Sequence, residues 1–262
     1  MSVPVVFSTG SLHPFGLDRI YSWVAESGFD GVEIMMDDRW DTHQSGYLDH
    51  LASKHGIPIR AFHPPLRRGA WNLGPQETLI RVAKLARSME VPVVVAHPPP
   101  PGRPLSLWRA GPLREARGHG VSVAVENMPK SEVRGIFGLK RSRSCHLPEH
   151  LLELGDVTLD TSHVGASKVD LMRAYSVLAG QVRHVHLSDS DLTGGDQHRL
   201  PGRGRLPLRP FLAALAQNGC PGVVSLELKP WPLGAPEPET ILERMRGALE
   251  FVRRALGYRP RW

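Results

Sequence analysis

The chain has 262 residues, 41% of them hydrophobic and 22% charged, and two cysteines, Cys145 and Cys220. That is enough length to bury a large core unaided, which excludes a small disulfide-framed scaffold and fits a reducing cytoplasm. The formal net charge of +6 gives only slight preference for acidic ligands, because the basic residues are spread along the chain and several sit in the tail at Arg253, Arg254, Arg259 and Arg261. No apolar run approaches the roughly 20 residues that span a bilayer, and residues 1–10 lack the basic-then-apolar pattern of a leader, so a cytoplasmic protein with no membrane partner is expected.

Short β-branched runs alternate with amphipathic stretches from end to end. Strands are expected at residues 5–8, 31–35, 58–63, 91–97, 121–127, 157–160, 182–187 and 223–228. Helices are expected at 17–27, 77–89, 150–154, 170–179, 209–218 and 239–256. Residues 105–117 also read as helix, but Gly111-Pro112 should break or kink it, since proline has no N–H to donate. Residues 129–147 read as a long loop. Strand–helix alternation implies a parallel sheet with helices outside it, and eight repeats make closure the economical solution because it removes both sheet edges. The expected fold is α/β, a single (β/α)8 TIM barrel over residues 1–262.

A barrel places its chemistry at the C-terminal ends of its strands. The third run ends in Ala61-Phe62-His63-Pro64 and the fourth in Val95-Ala96-His97-Pro98. The fifth ends in Val125-Glu126-Asn127, and the sixth in Leu159-Asp160-Thr161-Ser162-His163. The seventh gives His184-Val185-His186-Leu187-Ser188-Asp189, and the eighth Leu226-Glu227-Leu228-Lys229. A lone polar residue at a strand end is ordinary, but six in succession point into one small volume. Carboxylates packed that closely repel one another unless a cation lies between them, and a mixed His/Asp/Glu set suits Zn²⁺, Mn²⁺ or a similar ion. His184, two residues before His186, should lie on the same side of its strand but deeper, supporting the site without joining it.

The loop after the seventh run adds Asp196-Gln197-His198, placed to close over the same ions. It continues through Pro201-Gly202-Arg203-Gly204, a turn able to offer backbone N–H groups and the Arg203 guanidinium to an anionic or hydroxylated substrate. The alternative is that both glycines serve only a tight turn. Beyond the third strand, Arg67, Arg68 and Trp71 are the nearby candidates for wedges against a nucleic-acid duplex.

Taken together, these motifs resemble the xylose-isomerase-like TIM barrel superfamily, across essentially the whole chain. That group holds sugar and sugar-phosphate isomerases and epimerases and also endonuclease IV-type apurinic/apyrimidinic (AP) endonucleases. Likeness to the isomerase branch implies one divalent ion on Glu126, Asp160, His186 and Glu227. It also implies that Glu126 and Glu227 exchange protons at a carbon next to a carbonyl, with His163 assisting. Likeness to the endonuclease branch implies three zinc ions on His63, His97, Glu126, Asp160, His163, His186, Asp196, His198 and Glu227.

The expected enzyme is therefore a metal-dependent isomerase or epimerase, using one to three Mn, Zn, Mg or Co ions on a small sugar or sugar phosphate. A zinc-dependent phosphodiesterase or AP endonuclease, with nucleic acid as partner, is the alternative, and a catalytically silent barrel that only binds a ligand is the third. His63, His97 and His198 should face the same pocket under either enzymatic reading. Arg203 is the expected grip on a phosphate or hydroxyl at the far end, since its fork can bind oxygens bidentately.

Overall fold

The computed structural model describes residues 3–65, 70–100, 103–130, 132–134, 140–142 and 145–258. Eight parallel strands close into a barrel in the order β1 (Val5–Ser8), β2 (Val32–Met35), β3 (Ile59–His63), β4 (Val93–Ala96), β5 (Ser122–Glu126), β8 (Val157–Asp160), β9 (Val182–Leu187) and β10 (Val223–Leu226), the last pairing back onto β1. The two strands outside the ring, β6 (Glu132–Arg134) and β7 (Lys140–Ser142), form an antiparallel hairpin. This corrects the expectation of a bare loop there. The hairpin sequences Glu-Val-Arg and Lys-Arg-Ser carry no apolar alternation that would announce a strand.

Strand alternation decides what faces the barrel interior. Val5, Phe7, Val32, Ile34, Phe62, Val94, Val123, Val125, Leu159, Val185 and Leu226 belong to the core between sheet and helices. Their neighbours point inward, where Ala61, Val93 and Ala124 form a small separate apolar cluster. The same inward phase carries Glu33, His63, Glu126, Asp160, His184 and His186, all buried. The alternation that packs the core thus also delivers the polar groups to the barrel axis.

The helices follow the same logic. Helix α1 (Leu17–Ser27) buries Leu17, Ile20, Tyr21 and Val24 on one stripe and stops at Gly28, whose φ of 83° is the left-handed turn that ends a helix. Helix α2 (Ser45–His55) has no counterpart among the expected elements, because it buries only Leu48 and Leu51 and so shows little apolar period. Helix α3 (Pro75–Ser88) follows β3. Segments α4 (Leu105–Trp108) and α5 (Arg114–Arg117) flank a π-helical turn, Arg109–Leu113, that contains Pro112. The expected break is thus absorbed as a wider turn, which tolerates the missing proline N–H without ending the helix. Short α6 (Thr161–Ala166), then α7 (Leu171–Leu178), α8 (Leu208–Gln217), α9 (Pro230–Leu233) and α10 (Pro238–Ala255) complete the shell. Residues 148–154, expected as a helix in part, form two 3-10 turns. No helix among the described residues is long and apolar enough to cross a membrane.

Candidate metal centre at the barrel mouth

Four strand ends meet around the His186 imidazole. Its Nδ1 lies 2.9 Å from Glu126 Oε1, 3.0 Å from Glu227 Oε2 and 3.7 Å from Asp160 Oδ2. One donor atom from each of these four residues falls within 4.8 Å of the other three. Asp160 is divided between two tasks. Its Oδ1 accepts from the His163 N–H at 2.7 Å and caps α6, while Oδ2 is buried without a hydrogen bond. Asn127 fixes this strand end, accepting from the Asp160 N–H at 2.7 Å and donating to its carbonyl at 3.0 Å.

Two further groups adjoin the first. His97 Nε2 is 2.6 Å and His63 Nε2 3.9 Å from Glu126 Oε2, so Glu126 turns one oxygen to His186 and the other to this pair. On the opposite flank, Asp196 Oδ2 lies 2.8 Å from His198 Nε2 and 3.5 Å from His163 Nε2. Ser162 holds the Asp196 loop in place. Its hydroxyl donates to Asp196 Oδ1 at 2.6 Å and accepts from the N–H groups of Gln197 and His198. His198 itself sits at φ 45°, a left-handed backbone that histidine adopts rarely and that marks sites where geometry is enforced.

The rings are oriented by what their other nitrogen touches. His63 Nδ1 is 2.7 Å from the Pro64 carbonyl, His163 Nδ1 2.8 Å from the Asn127 carbonyl, and His198 Nδ1 3.1 Å from the Glu227 carbonyl. A carbonyl only accepts, so each Nδ1 carries the proton and, in the neutral ring, each Nε2 presents a lone pair toward a carboxylate. Lone pair against carboxylate is repulsive unless a positive charge lies between them. A divalent cation meets that requirement, and the mixed nitrogen and oxygen donors fit one.

Without a metal, protons must supply the charge. His163 is pushed up to about 10 and His198 to about 9, because burial, which alone would lower them, is outweighed by the surrounding carboxylates. Among those carboxylates, Asp160, Asp196 and Glu126 act on His163, and Glu227, Asp196 and Asp160 on His198. His186 lies well above its usual value, burial again being overcome by Glu227, Glu33 and Glu126. His97 and His184 go the other way, burial prevailing. Glu126 is held well below the ordinary carboxylate range, burial being overcome by His186 and His97, whereas burial raises Glu227.

The turn after β9 corrects one expectation. The N–H groups of Gly202 and Gly204 both donate to Asp189 Oδ2 at 2.9 Å, so they are spent inside the protein and not offered to a ligand. Gly204 is required by close approach, since a Cβ there would lie 2.3 Å from Asp189 Oδ1. Arg203 remains exposed and borders an outer pocket of about 600 Å³ with Arg199, Lys229 and Asp196. Arg199 is paired with Asp191, and Lys229 donates to the Asp196 carbonyl.

Sequence reasoning missed Glu33, fully buried and hydrogen-bonded to both His184 and His186. Its signal was an acid inside the apolar run Val32-Glu33-Ile34-Met35, on the inward phase of a strand. Trp71 lies beyond β3 under the Arg81 guanidinium at 4.5 Å and beside His43. Arg67, Arg68, Arg259 and Arg261 lie outside the described residues.

A closed eight-stranded parallel barrel with polar strand ends defines a class. The chain belongs to the xylose isomerase-like TIM barrel family, whose model matches residues 21–249. It is similar to an uncharacterized protein of Mycobacterium leprae, 27% identical over 96% of this chain and 97% of that one. A shorter likeness, 32% over 81 residues, joins it to a fructoselysine 3-epimerase of Escherichia coli O157:H7, covering 30% of this chain and 29% of that one. Among solved structures, a D-tagatose 3-epimerase-like protein shares the fold with a TM-score of 0.67 at 21% identity, over 96% of this chain and 98% of that one. The D-psicose 3-epimerase of Clostridium cellulolyticum H10 shares it with a TM-score of 0.71 at 17% identity, over 97% and 99%.

Proposed function

We propose that the chain is a divalent-metal-dependent isomerase or epimerase of a sugar or sugar phosphate, working by proton exchange beside a carbonyl. The observation that carries this is the pair Glu126 and Glu227, two carboxylates that reach His186 Nδ1 at 2.9 and 3.0 Å from β5 and β10, strands separated by two others in the ring. Glu126 and Glu227 take and return the proton from the two sides of the mouth.

Two carboxylates so placed address opposite faces of a planar enediolate, as epimerisation requires, and isomerisation needs only one of them. His163 assists between Asp160 and Asp196. An ion of Mn, Zn, Mg or Co held by Glu126, Asp160, His186 and Glu227 would polarise the carbonyl and acidify the neighbouring C–H. His63, His97 and His198 bind substrate hydroxyls, and Arg203, at the outer pocket, grips a phosphate or hydroxyl at the far end. Likeness to fructoselysine, D-psicose and D-tagatose-like 3-epimerases is in keeping with this substrate class.

The test is solvent deuterium incorporation across ketoses and their phosphates with each metal, together with product analysis to catch hydride shifts. Glu227→Gln is expected to slow exchange about 10²- to 10⁴-fold. No turnover of any sugar by the native protein would sink the reading.

A second reading has its own observation: Glu126 bridges two side-chain groups, and Asp196, His163 and His198 form a third beside them. That arrangement also suits a zinc-dependent phosphodiesterase or endonuclease IV-like AP endonuclease, whose partner is nucleic acid. Elemental analysis separates the two, with near one equivalent favouring the isomerase and near three the hydrolase. Cleavage of an abasic-site oligonucleotide would establish the latter.

A further inference from the structure

His63, His163 and His198 hold their rings by Nδ1 on a backbone carbonyl and turn Nε2 to the carboxylates. His186 is inverted. Its Nδ1 faces Glu126, Asp160 and Glu227, and its Nε2 points down the barrel axis to Glu33 Oε2 at 3.1 Å. Inside a closed barrel the strand carbonyls are committed to neighbouring strands, so an acceptor beneath this ring has to come from a side chain.

Glu33 supplies it at a cost. The residue has no exposed surface, and its Oε1 is buried without a hydrogen bond. A carboxylate taken that far from water is destabilising by several kcal/mol unless its contacts repay it. Both contacts it makes are to imidazoles: Oε2 accepts from His186 and also from His184 Nε2. The His184 ring packs edge-on against that of His186, centroids 4.9 Å apart. Beside them in register stand small residues, Ser8 next to Glu33 and Ser225 next to His186, which leave the axis open for this stack.

We infer that Glu33 is the positioning residue of the metal centre: its carboxylate fixes His186 with the proton on Nε2 and so makes Nδ1 the donor aimed at the ion, while His184 holds Glu33 in place. The inference rests on the metal reading of the Glu126–Asp160–His186–Glu227 group. A carboxylate acceptor also raises the basicity of the imidazole it orients, which strengthens the bond made by the opposite nitrogen. The acid therefore serves the ion without touching it.

The experiment measures metal, not turnover. Zn²⁺ affinity is read by competition with a chromophoric chelator, and the Co²⁺ form by its visible absorption, for the full-length native protein, Glu33→Gln and His184→Phe. Glu33→Gln is expected to bind Zn²⁺ about 10- to 100-fold more weakly, with a changed Co²⁺ spectrum. His184→Phe, which leaves the acceptor of His186 in place, should lose less.

Histidine ¹⁵N spectra of the native Zn²⁺ form give an arm that needs no variant and decides the matter if the variants fail to fold. His186 should be protonated at Nε2 and metallated at Nδ1, whereas His63, His163 and His198 should carry a proton on Nδ1. A proton on His186 Nδ1, a folded Glu33→Gln protein with native affinity and spectrum, or a native protein that binds no metal overturns the inference. A native protein that binds metal in this way yet turns over no sugar leaves the inference standing and removes the isomerase reading.

Discussion

Asp160 ends β8 and Asp189 lies two residues past the end of β9, the next strand in the ring, and both are buried, with 0% and 1% of their surface exposed. Asp189 is saturated: Oδ1 accepts from the N–H groups of Ser190 and Leu206 at 2.8 and 3.1 Å, and Oδ2 from those of Gly202 and Gly204 at 2.9 Å. Asp160 spends one oxygen on a helix cap and leaves the other with no hydrogen bond, 3.7 Å from the His186 and His163 rings. The same side chain, buried at the same rim of the barrel, thus does two kinds of work. Where backbone amides meet every lone pair, the carboxylate builds a loop. Where they stop short, the remaining oxygen is left without a hydrogen bond, as the proposed cation would require, and the protein carries a standing cost for it.

That contrast can be broken by exchanging charge for amide at each position. Asp189→Asn puts an NH₂ group where four N–H donors converge, and each hydrogen bond to a charged acceptor is worth about 1.5–3 kcal/mol. A stability loss of about 3–4 kcal/mol is expected in urea unfolding. An unchanged midpoint would mean that the turn does not depend on its aspartate. Asp160→Asn should be milder. The amide still caps α6 through its oxygen, and relief of crowding with Glu126 and Glu227 offsets the lost charge facing His163 and His198. The metal-free protein is expected to change by less than about 1 kcal/mol, while Zn²⁺ affinity falls at least about 100-fold. A loss of metal-free stability as large as that of Asp189→Asn would erase the distinction.

Chelation sharpens the comparison further. Removing metal from the native protein should lower its midpoint by mass action, about 2.7 kcal/mol for an ion present at a hundredfold its dissociation constant, and leave Asp160→Asn unmoved. The smallest effect is expected at the exposed rim. Arg203→Ala should alter stability by less than about 0.5 kcal/mol. It should raise KM about tenfold for phosphorylated substrates and leave unphosphorylated ones alone, which initial-rate measurements on matched pairs would read.

The sequence shows the barrel clearly because strand and helix periods differ and each strand run is strongly apolar. It shows the mouth because His63, His97, Glu126, Asp160, His186 and Glu227 each follow such a run. The structure brings the side chains of all six together with Asp196, His163 and His198. What stayed hidden has physical reasons. Glu33 lies inside an apolar run and not at its end, so only the inward phase of β2 betrays it. Asp189 and Asp196 look alike in a polar loop, and their different fates depend on the pairing of Asp189 with Arg199, 2.9 and 3.0 Å between backbones, which no local pattern specifies. The charged hairpin β6–β7 and the weakly apolar α2 lack the burial that writes a period into a sequence.

The seam of the barrel has a consequence for how the chain becomes a protein. Strand β1 is paired on one side with β10, and Ser11 Oγ accepts from the N–H of Leu228, 217 residues away, at 2.8 Å. At the outer surface Tyr258 donates to the Val3 carbonyl at 2.7 Å. During synthesis the first strand therefore waits with one edge bare until β10 has been made, a long-range closure of the slow and aggregation-exposed kind. Asp160, His186 and Glu227 lie in the second half of the chain and Glu126 just before its midpoint, whereas Glu33 arrives among the first strands. Glu227 follows directly on β10, the strand that shuts the ring, so the four groups and the contact of His186 with Glu33 are complete only in the finished barrel. On the proposed metal reading, metal capture would then report that the seam has closed, and a chain truncated before β10 would be left with bare strand edges.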